Sequence, residues 1–183
     1  KPVVLKAFIP NFKDPISGDD LAGLACEEWA ESRIVFTEPR TEATTAESNA
    51  VNAEKNWSLK DGPFTEEDFS QFDDGNWTLL VQAVDQWIPE VAELKDSFNF
   101  IPSWRIEDIM ISYAEEHGGV GPHFDYYDVF LLQGQGQRRW QLGQQCDHSS
   151  ALRNTPGLKL LQHFHQDSYI VQNYVLISQG PLN

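Results

Sequence analysis

Hydrophobic and polar residues alternate with different periods along the first hundred residues, and these periods predict a mixed α/β arrangement. The apolar run at 3–9 predicts a short strand. A helix is predicted over 18–32, because apolar residues recur there at helical spacing and Ser17 with Asp20 has the spacing of a capping box. The apolar positions of this helix are Leu21, Leu24, Ala25 and Trp29.

The rest of the first half divides into short elements. The pattern predicts strands at 33–37 and 57–64, helical segments at 66–69 and 89–100, and an exposed polar loop at 38–56. Residues 76–87 carry both a strand signal and a helix signal, so both alternatives stay open.

From Trp104 onward the pattern changes to short apolar segments separated by glycine-containing turns. Several short strands joined in this way are typical of a β-sandwich or barrel. We therefore expect an α+β chain, with a mixed α/β part over 1–103 and a β core over 104–183.

Composition limits the class of protein. The chain has 183 residues, of which 40% are hydrophobic and 12% aromatic, so it is long enough to bury a core and unlike a disordered segment. No apolar run approaches a membrane span, the start lacks a signal peptide, and Cys26 and Cys146 are too few for a disulfide scaffold. We expect a cytoplasmic protein without membrane contact and, since no initiator Met is present, we interpret the chain as part of a longer protein.

The formal net charge of -15, from 28 acidic and 13 basic residues, indicates what the surface could bind. Direct nucleic-acid binding is disfavoured, because phosphates would be repelled. A basic protein partner suits this surface, and the alternative is that the charge only keeps the protein in solution.

The segment GGVGPHFDYYDVFLL contains a possible metal-binding pair. If the segment is a strand, His123 and Asp125 point to the same face and lie about 6 to 7 Å apart along it. An imidazole and a carboxylate in this arrangement could share a divalent metal, and a second histidine would complete the two-His-one-carboxylate triad of non-haem Fe(II) oxygenases. The alternative is a hydrogen-bonded surface pair.

Two arginines follow this pair on the next predicted strand. The segment QGQGQ (133–137) makes a glycine-containing connection, after which Arg138 and Arg139 must face opposite sides. A guanidinium facing the metal could hold a carboxylate in bidentate fashion, as a 2-oxo dicarboxylic acid would require at its far end. The other arginine is expected to be solvated.

The run GGVGPHFDYYDVFLLQGQGQRRWQLG resembles the core of the bacterial ribosomal-protein arginine hydroxylases, a subgroup of the JmjC-type cupin oxygenases. The resemblance extends upstream through PSWRIEDIMISY, GNWTLLVQAVDQW and KDPISGDDLAGLA, and covers Lys1 to about Leu142. It implies a double-stranded β-helix (a cupin/JmjC jelly roll) flanked by N-terminal helices and strands. The implied activity is Fe(II)-, O2- and 2-oxoglutarate-dependent hydroxylation of an arginine side chain in a large-subunit ribosomal protein.

The resemblance also implies roles for individual residues. His123 and Asp125 would be iron ligands, and Arg138 would hold the distal carboxylate of 2-oxoglutarate. The third ligand, a histidine in the family, is expected at or just beyond Asn183. Glu115 and Glu116 are proposed to meet the substrate guanidinium, with a solvated loop as the alternative, and Tyr126 and Tyr127 lie close to them in sequence.

Other interpretations remain open at this point. His163 and His165 are two residues apart and could in principle be ligands, either here or in a small-molecule metal cupin. A non-catalytic cupin-like module that binds a basic partner is the main alternative to an enzyme. The longer relatives that the chain resembles also imply a homodimer of the full-length protein.

Overall fold

The computed structural model describes residues 3–39, 55–72, 75–164, 167–171 and 174–178. The strands are β1 (Val3–Lys6), β2 (Ser32–Pro39), β3 (Lys55–Asp61), β4 (Trp77–Val81), β5 (Ile111–Ala114), β6 (Val129–Leu132), β7 (Arg138–Leu142), β8 (Asp167–Val171) and β9 (Tyr174–Ser178). The α-helices are α1 (Gly18–Ala25), α2 (Glu66–Gln71) and α3 (Pro89–Ala92), with 3-10 segments at Val84–Gln86, Glu93–Phe98 and Ser103–Arg105.

The helix α1 begins as predicted and ends early. The Ser17 side chain accepts a hydrogen bond from the Asp20 N–H, and the Asp20 side chain returns to Ser17, which confirms the capping box. The prediction that the helix continues to residue 32 is wrong. The carbonyl of Ala25 accepts hydrogen bonds from the Ser32 hydroxyl and the Phe64 N–H, so contacts distant in sequence take over where the next helical turn would begin.

The first half otherwise follows the predicted pattern with shifted boundaries. Residues 76–87 resolve into strand β4 followed by a 3-10 turn, and 89–100 into a single α-helical turn continued as a 3-10 segment. The predicted loop at 38–56 is shorter than expected, because both of its ends belong to paired strands. Residues 40–54 of that loop lie outside the described residues.

An antiparallel four-stranded sheet of order β3-β2-β4-β5 supports this half. Alternation along β2 places successive side chains on opposite faces. Ile34 belongs to one buried cluster, with α1 and α3, and Val35 to a second. The second cluster consists of Val35, Trp57, Leu80 and Leu160, with Leu59, Val120 and Leu158 packed against it. This second cluster positions the candidate site.

The last four strands form two antiparallel pairs that belong to different sheets. β6 pairs with β9, from Val129 opposite Ser178 to Leu132 opposite Val175, whereas β7 pairs with β8, from Arg138 opposite Val171 onward. The connection at 133–137 contains Gly136 at φ +65°, a left-handed conformation that glycine adopts without strain. β6 and β7 are therefore not a hairpin, since their partners lie in different sheets.

Strand pairing joins the early and late parts of the chain. β1 pairs with β9, and β4 pairs with β5, so each of these sheets contains residues from both sides of position 103. Within the part of the chain that the structure describes, no helix is long and apolar enough to cross a membrane.

Candidate metal centre

A tightly packed glycine precedes the predicted ligands. Gly121 has φ +74°, and a Cβ at this position would lie 2.7 Å from Leu160 Cδ2 and 3.1 Å from Trp57 Cε2. The next residue, Pro122, is buried, and its carbonyl accepts a hydrogen bond of 2.7 Å from the Leu161 N–H. The backbone before His123 is thus held by the second hydrophobic cluster.

This packing explains why the predicted strand is wrong at this point. Residues 121–128 are irregular and β6 begins only at Val129. The Pro122 carbonyl bonds to Leu161, outside the named strands, instead of joining a sheet. His123 and Asp125 nevertheless lie side by side, with His123 Nε2 and Asp125 Oδ2 separated by 3.9 Å.

The hydrogen bond of His123 fixes which of its ring nitrogens carries the proton. Nδ1 lies 2.9 Å from the Gly121 carbonyl oxygen. A carbonyl oxygen only accepts, so Nδ1 is the donor, and in the neutral imidazole Nε2 then has a free lone pair. That lone pair is on the nitrogen nearest Asp125. A backbone carbonyl that orients one ring nitrogen is a common arrangement for metal-ligating histidines.

The geometry of the pair bears on the two alternatives, a metal site and a hydrogen-bonded surface pair. A separation of 3.9 Å is too long for a hydrogen bond. A neutral imidazole and a carboxylate together are a donor set that Fe(II) accepts. The two side chains are 38% and 39% exposed, so an ion could reach them from solvent.

Arg138 and Arg139 separate as predicted, with Arg138 half-buried and Arg139 exposed. Arg138 begins β7, and its guanidinium carbon lies 5.9 Å from the centre of the Trp140 ring. Burial lowers the pKa of Arg138, yet guanidinium keeps its charge in proteins. Among residues whose side chains the structure describes, no carboxylate forms an ion pair with Arg138, so its charge suits an anionic ligand.

Glu115 and Glu116 occupy the turn that follows β5. The Glu115 carboxylate accepts a hydrogen bond of 2.9 Å from the Tyr113 hydroxyl, which raises the pKa of Tyr113. Glu116 is exposed. A substrate-binding role for either residue stays a prediction.

Sequence reasoning missed the acidic surroundings of Tyr127. Burial and the charges of Asp125, Glu107 and Asp108 raise the pKa of Tyr127, while Arg33 acts in the opposite direction. Tyr127 itself is 59% exposed. The adjacent acidic residues in RIEDIM were a signal in the sequence, but only the fold relates them to the metal motif.

A third ligand for this pair is not found among the residues that the structure describes. Within the described ranges, no group of three or more His, Cys, Asp or Glu side chains could hold a metal ion. His163 therefore does not form a metal-binding group with His123 and Asp125, which counts against the interpretation that took His163 as a ligand. His165 and Asn183 lie outside the described residues.

The His/Asp pair lies just before strands that are divided between two sheets, an arrangement that fits the predicted cupin class of domain. Residues 93–176 match the family described as JmjC domain. The chain therefore contains a JmjC domain, and the predicted double-stranded β-helix is confirmed.

The individual relatives are bacterial ribosomal oxygenases. The chain is 43% identical over 162 residues to the ribosomal protein uL16 3-hydroxylase of Escherichia coli K12, covering 85% of this chain and 39% of that protein. It is 36% identical over 160 residues to a probable ribosomal oxygenase of Haemophilus influenzae, covering 87% and 36%. The predicted resemblance is confirmed, and the chain spans less than half the length of the curated relatives it matches.

Solved structures agree with this assignment. An X-ray structure of E. coli YcfD matches with a TM-score of 0.80 and 37% identity, over 97% of this chain and 44% of that one. The ribosomal oxygenase YcfD in complex with cobalt and 2-oxoglutarate matches with a TM-score of 0.75 and 37% identity, over 97% and 42%.

Proposed function

We propose that the protein is an Fe(II)- and 2-oxoglutarate-dependent hydroxylase that acts on an arginine side chain of a large-subunit ribosomal protein. The observation that carries this proposal is the lone pair of His123 Nε2 facing the Asp125 carboxylate at 3.9 Å. A relative with the same fold has been solved with cobalt and 2-oxoglutarate, which supports the same ligand classes here.

Different residues are proposed to bind the metal and the co-substrate. His123 and Asp125 would bind Fe(II), and the Gly121 carbonyl keeps the His123 ring in the tautomer that can do so. Arg138 would pair with the distal carboxylate of 2-oxoglutarate, because a half-buried guanidinium gains most from a bidentate anion. The bound iron, 2-oxoglutarate and O2 together supply the oxidising power for hydroxylation.

The third ligand is proposed at or just beyond Asn183. β9 ends at Ser178, directly opposite Val129, where the chain arrives from the metal motif. This pairing supports a ligand near the end of the given sequence.

A basic ribosomal protein is the proposed substrate. The net charge of -15 favours a basic partner over nucleic acid, and the charges of Asp125, Glu107 and Asp108 act on Tyr127 beside the motif, an acidic environment that suits a guanidinium. Glu115 and Glu116 belong to this proposed substrate surface. A cytoplasmic location without membrane contact and a homodimer of the full-length protein complete the proposal.

The test is 2-oxoglutarate decarboxylation measured with and without a large-subunit ribosomal protein such as uL16. We expect turnover that the ribosomal protein stimulates and that His123→Ala abolishes. His148→Ala, which removes an exposed loop imidazole, is the matched control and should retain turnover. Undiminished decarboxylation in His123→Ala would overturn the proposal, and a protein that neither binds metal nor turns over would support the non-catalytic module.

A further inference from the structure

A small hairpin lies directly behind the metal motif. Residues 151–162 fold back on themselves: the Gln162 N–H donates to the Ala151 carbonyl at 2.9 Å, and bridges join Leu152 with Leu161 and Thr155 with Leu158. We call this segment the strap.

The strap is fixed to strand β3 by two contacts. Gly157 has φ +74° at its tip, and a Cβ there would lie 2.6 Å from Leu59 Cδ2. Leu160 is 1% exposed and is buried in the same cluster as Trp57. The strap therefore cannot shift without disturbing the hydrophobic cluster that includes β3.

The strap also contacts the two residues that immediately precede His123. The Leu161 N–H donates to the Pro122 carbonyl at 2.7 Å, and Leu160 Cδ2 lies 2.7 Å from where a Gly121 Cβ would be. Gly121 is the residue whose carbonyl orients the His123 ring. A displacement of the strap would therefore move the Gly121–Pro122 backbone, and with it the carbonyl that orients the His123 ring.

Arg153 links the parts of the strap to one another. Its backbone N–H donates a hydrogen bond of 2.7 Å to the Leu160 carbonyl, and its side-chain Nε–H donates one of 3.1 Å to the Leu161 carbonyl. The guanidinium carbon lies 5.3 Å from the centre of the Trp57 ring, within cation–π range. One side chain therefore contacts both Trp57 and the residue that holds Pro122.

We propose that Arg153 is a positioning residue for His123, acting through Leu161, Pro122 and the Gly121 carbonyl. Its function is to keep the dipeptide before His123 at the place where the Gly121 oxygen meets Nδ1, so that Nε2 keeps its lone pair toward Asp125. The connection to catalysis rests on the proposed function, whereas the effect on the imidazole does not.

The direct test is the tautomer of His123, measured by nitrogen-15 NMR of the imidazole in Arg153→Ala and in the unaltered protein. We expect the unaltered protein to show the Nδ1–H form, and Arg153→Ala to show a mixture of both tautomers. Arg105→Ala removes an equal charge from an exposed 3-10 segment and should leave the tautomer unchanged. An unchanged Nδ1–H form in Arg153→Ala would overturn the inference.

Affinity for Co²⁺ alone provides a second readout. Substituting groups that orient a ligating histidine costs about 10- to 100-fold in metal affinity, and Arg153 acts one step further away, so we expect a loss of up to about tenfold. Arg153→Lys keeps the charge but not the Nε geometry, and should recover only part of the affinity.

A control with reduced stability separates positioning from general weakening of the fold. Val91→Ala shortens a fully buried side chain in the first hydrophobic cluster, away from the strap. It should lower the melting temperature and leave both the tautomer and Co²⁺ affinity unchanged. If Val91→Ala and Arg153→Ala reduced affinity equally, the inference would fail. If the unaltered protein bound no Co²⁺, the proposed function would fail, and the tautomer would still decide the inference.

Discussion

Gly121 is a position where a single methyl group should disturb the packing behind the candidate site. An alanine there must adopt φ +74°, a left-handed conformation that costs an L-residue about 1 to 2 kcal/mol. Its Cβ would also lie 2.7 Å from Leu160 Cδ2 and 3.1 Å from Trp57 Cε2, and overpacking of this kind costs about 1 to 3 kcal/mol. We therefore expect Gly121→Ala to lower the free energy of unfolding by about 2 to 5 kcal/mol.

The same backbone offers a matched control two residues earlier. A Cβ at Gly119 meets no heavy atom within 4 Å, and Gly119 does not have a left-handed φ. Gly119→Ala should change the free energy of unfolding by less than about 0.5 kcal/mol. Urea denaturation of the two variants measures the difference. If Gly121→Ala proved as stable as Gly119→Ala, the packing described around the motif would be refuted.

Three further predictions concern stability away from the site. Gly23→Ala in α1, where a Cβ meets nothing within 4 Å, should raise the free energy of unfolding by about 0.5 to 1 kcal/mol in urea denaturation, and a loss would contradict the helix. Thr78→Val should be neutral or stabilising by thermal melting, because the buried Thr78 hydroxyl has no hydrogen-bond partner among the residues that the structure describes. Marked destabilisation would indicate that the hydroxyl has a partner. Asp68 has a pKa lowered to about 2, chiefly by its hydrogen bond with Lys60 and then by Thr65. The ionised Asp68 carboxylate therefore adds to the free energy of unfolding above about pH 4, and this contribution is lost as the pH falls toward 2. Asp68→Asn should flatten the dependence of the free energy of unfolding on pH in that window. An unchanged dependence would contradict the hydrogen bonds assigned to Asp68.

Local signals in the sequence predicted where helix α1 begins but not where it ends. The capping box at Ser17 depends on residues three positions apart, and the structure confirms it. The end of α1 depends on Ser32 and Phe64, which both donate hydrogen bonds to the Ala25 carbonyl in place of the next helical turn. No local pattern contains that information.

The candidate site shows the same division between local and distant causes. The two-residue spacing of His123 and Asp125 was enough to predict that they lie together, although the strand assigned to them was wrong. The orientation of His123 depends on Leu160 and Leu161, nearly forty residues later, which the sequence pattern did not connect with the motif. The predicted fold came from the resemblance, since the pairing of β6 with β9 is not visible in hydrophobic periodicity.

The central claim is that His123 and Asp125 together hold a metal ion. The most direct measurement is the Fe(II) content of the protein after anaerobic dialysis with 2-oxoglutarate, compared with His123→Ala, Asp125→Ala and the control His148→Ala. We predict one iron per chain in the unaltered protein and in the control, and loss of iron in both site variants. Equal iron in all four proteins would contradict the account.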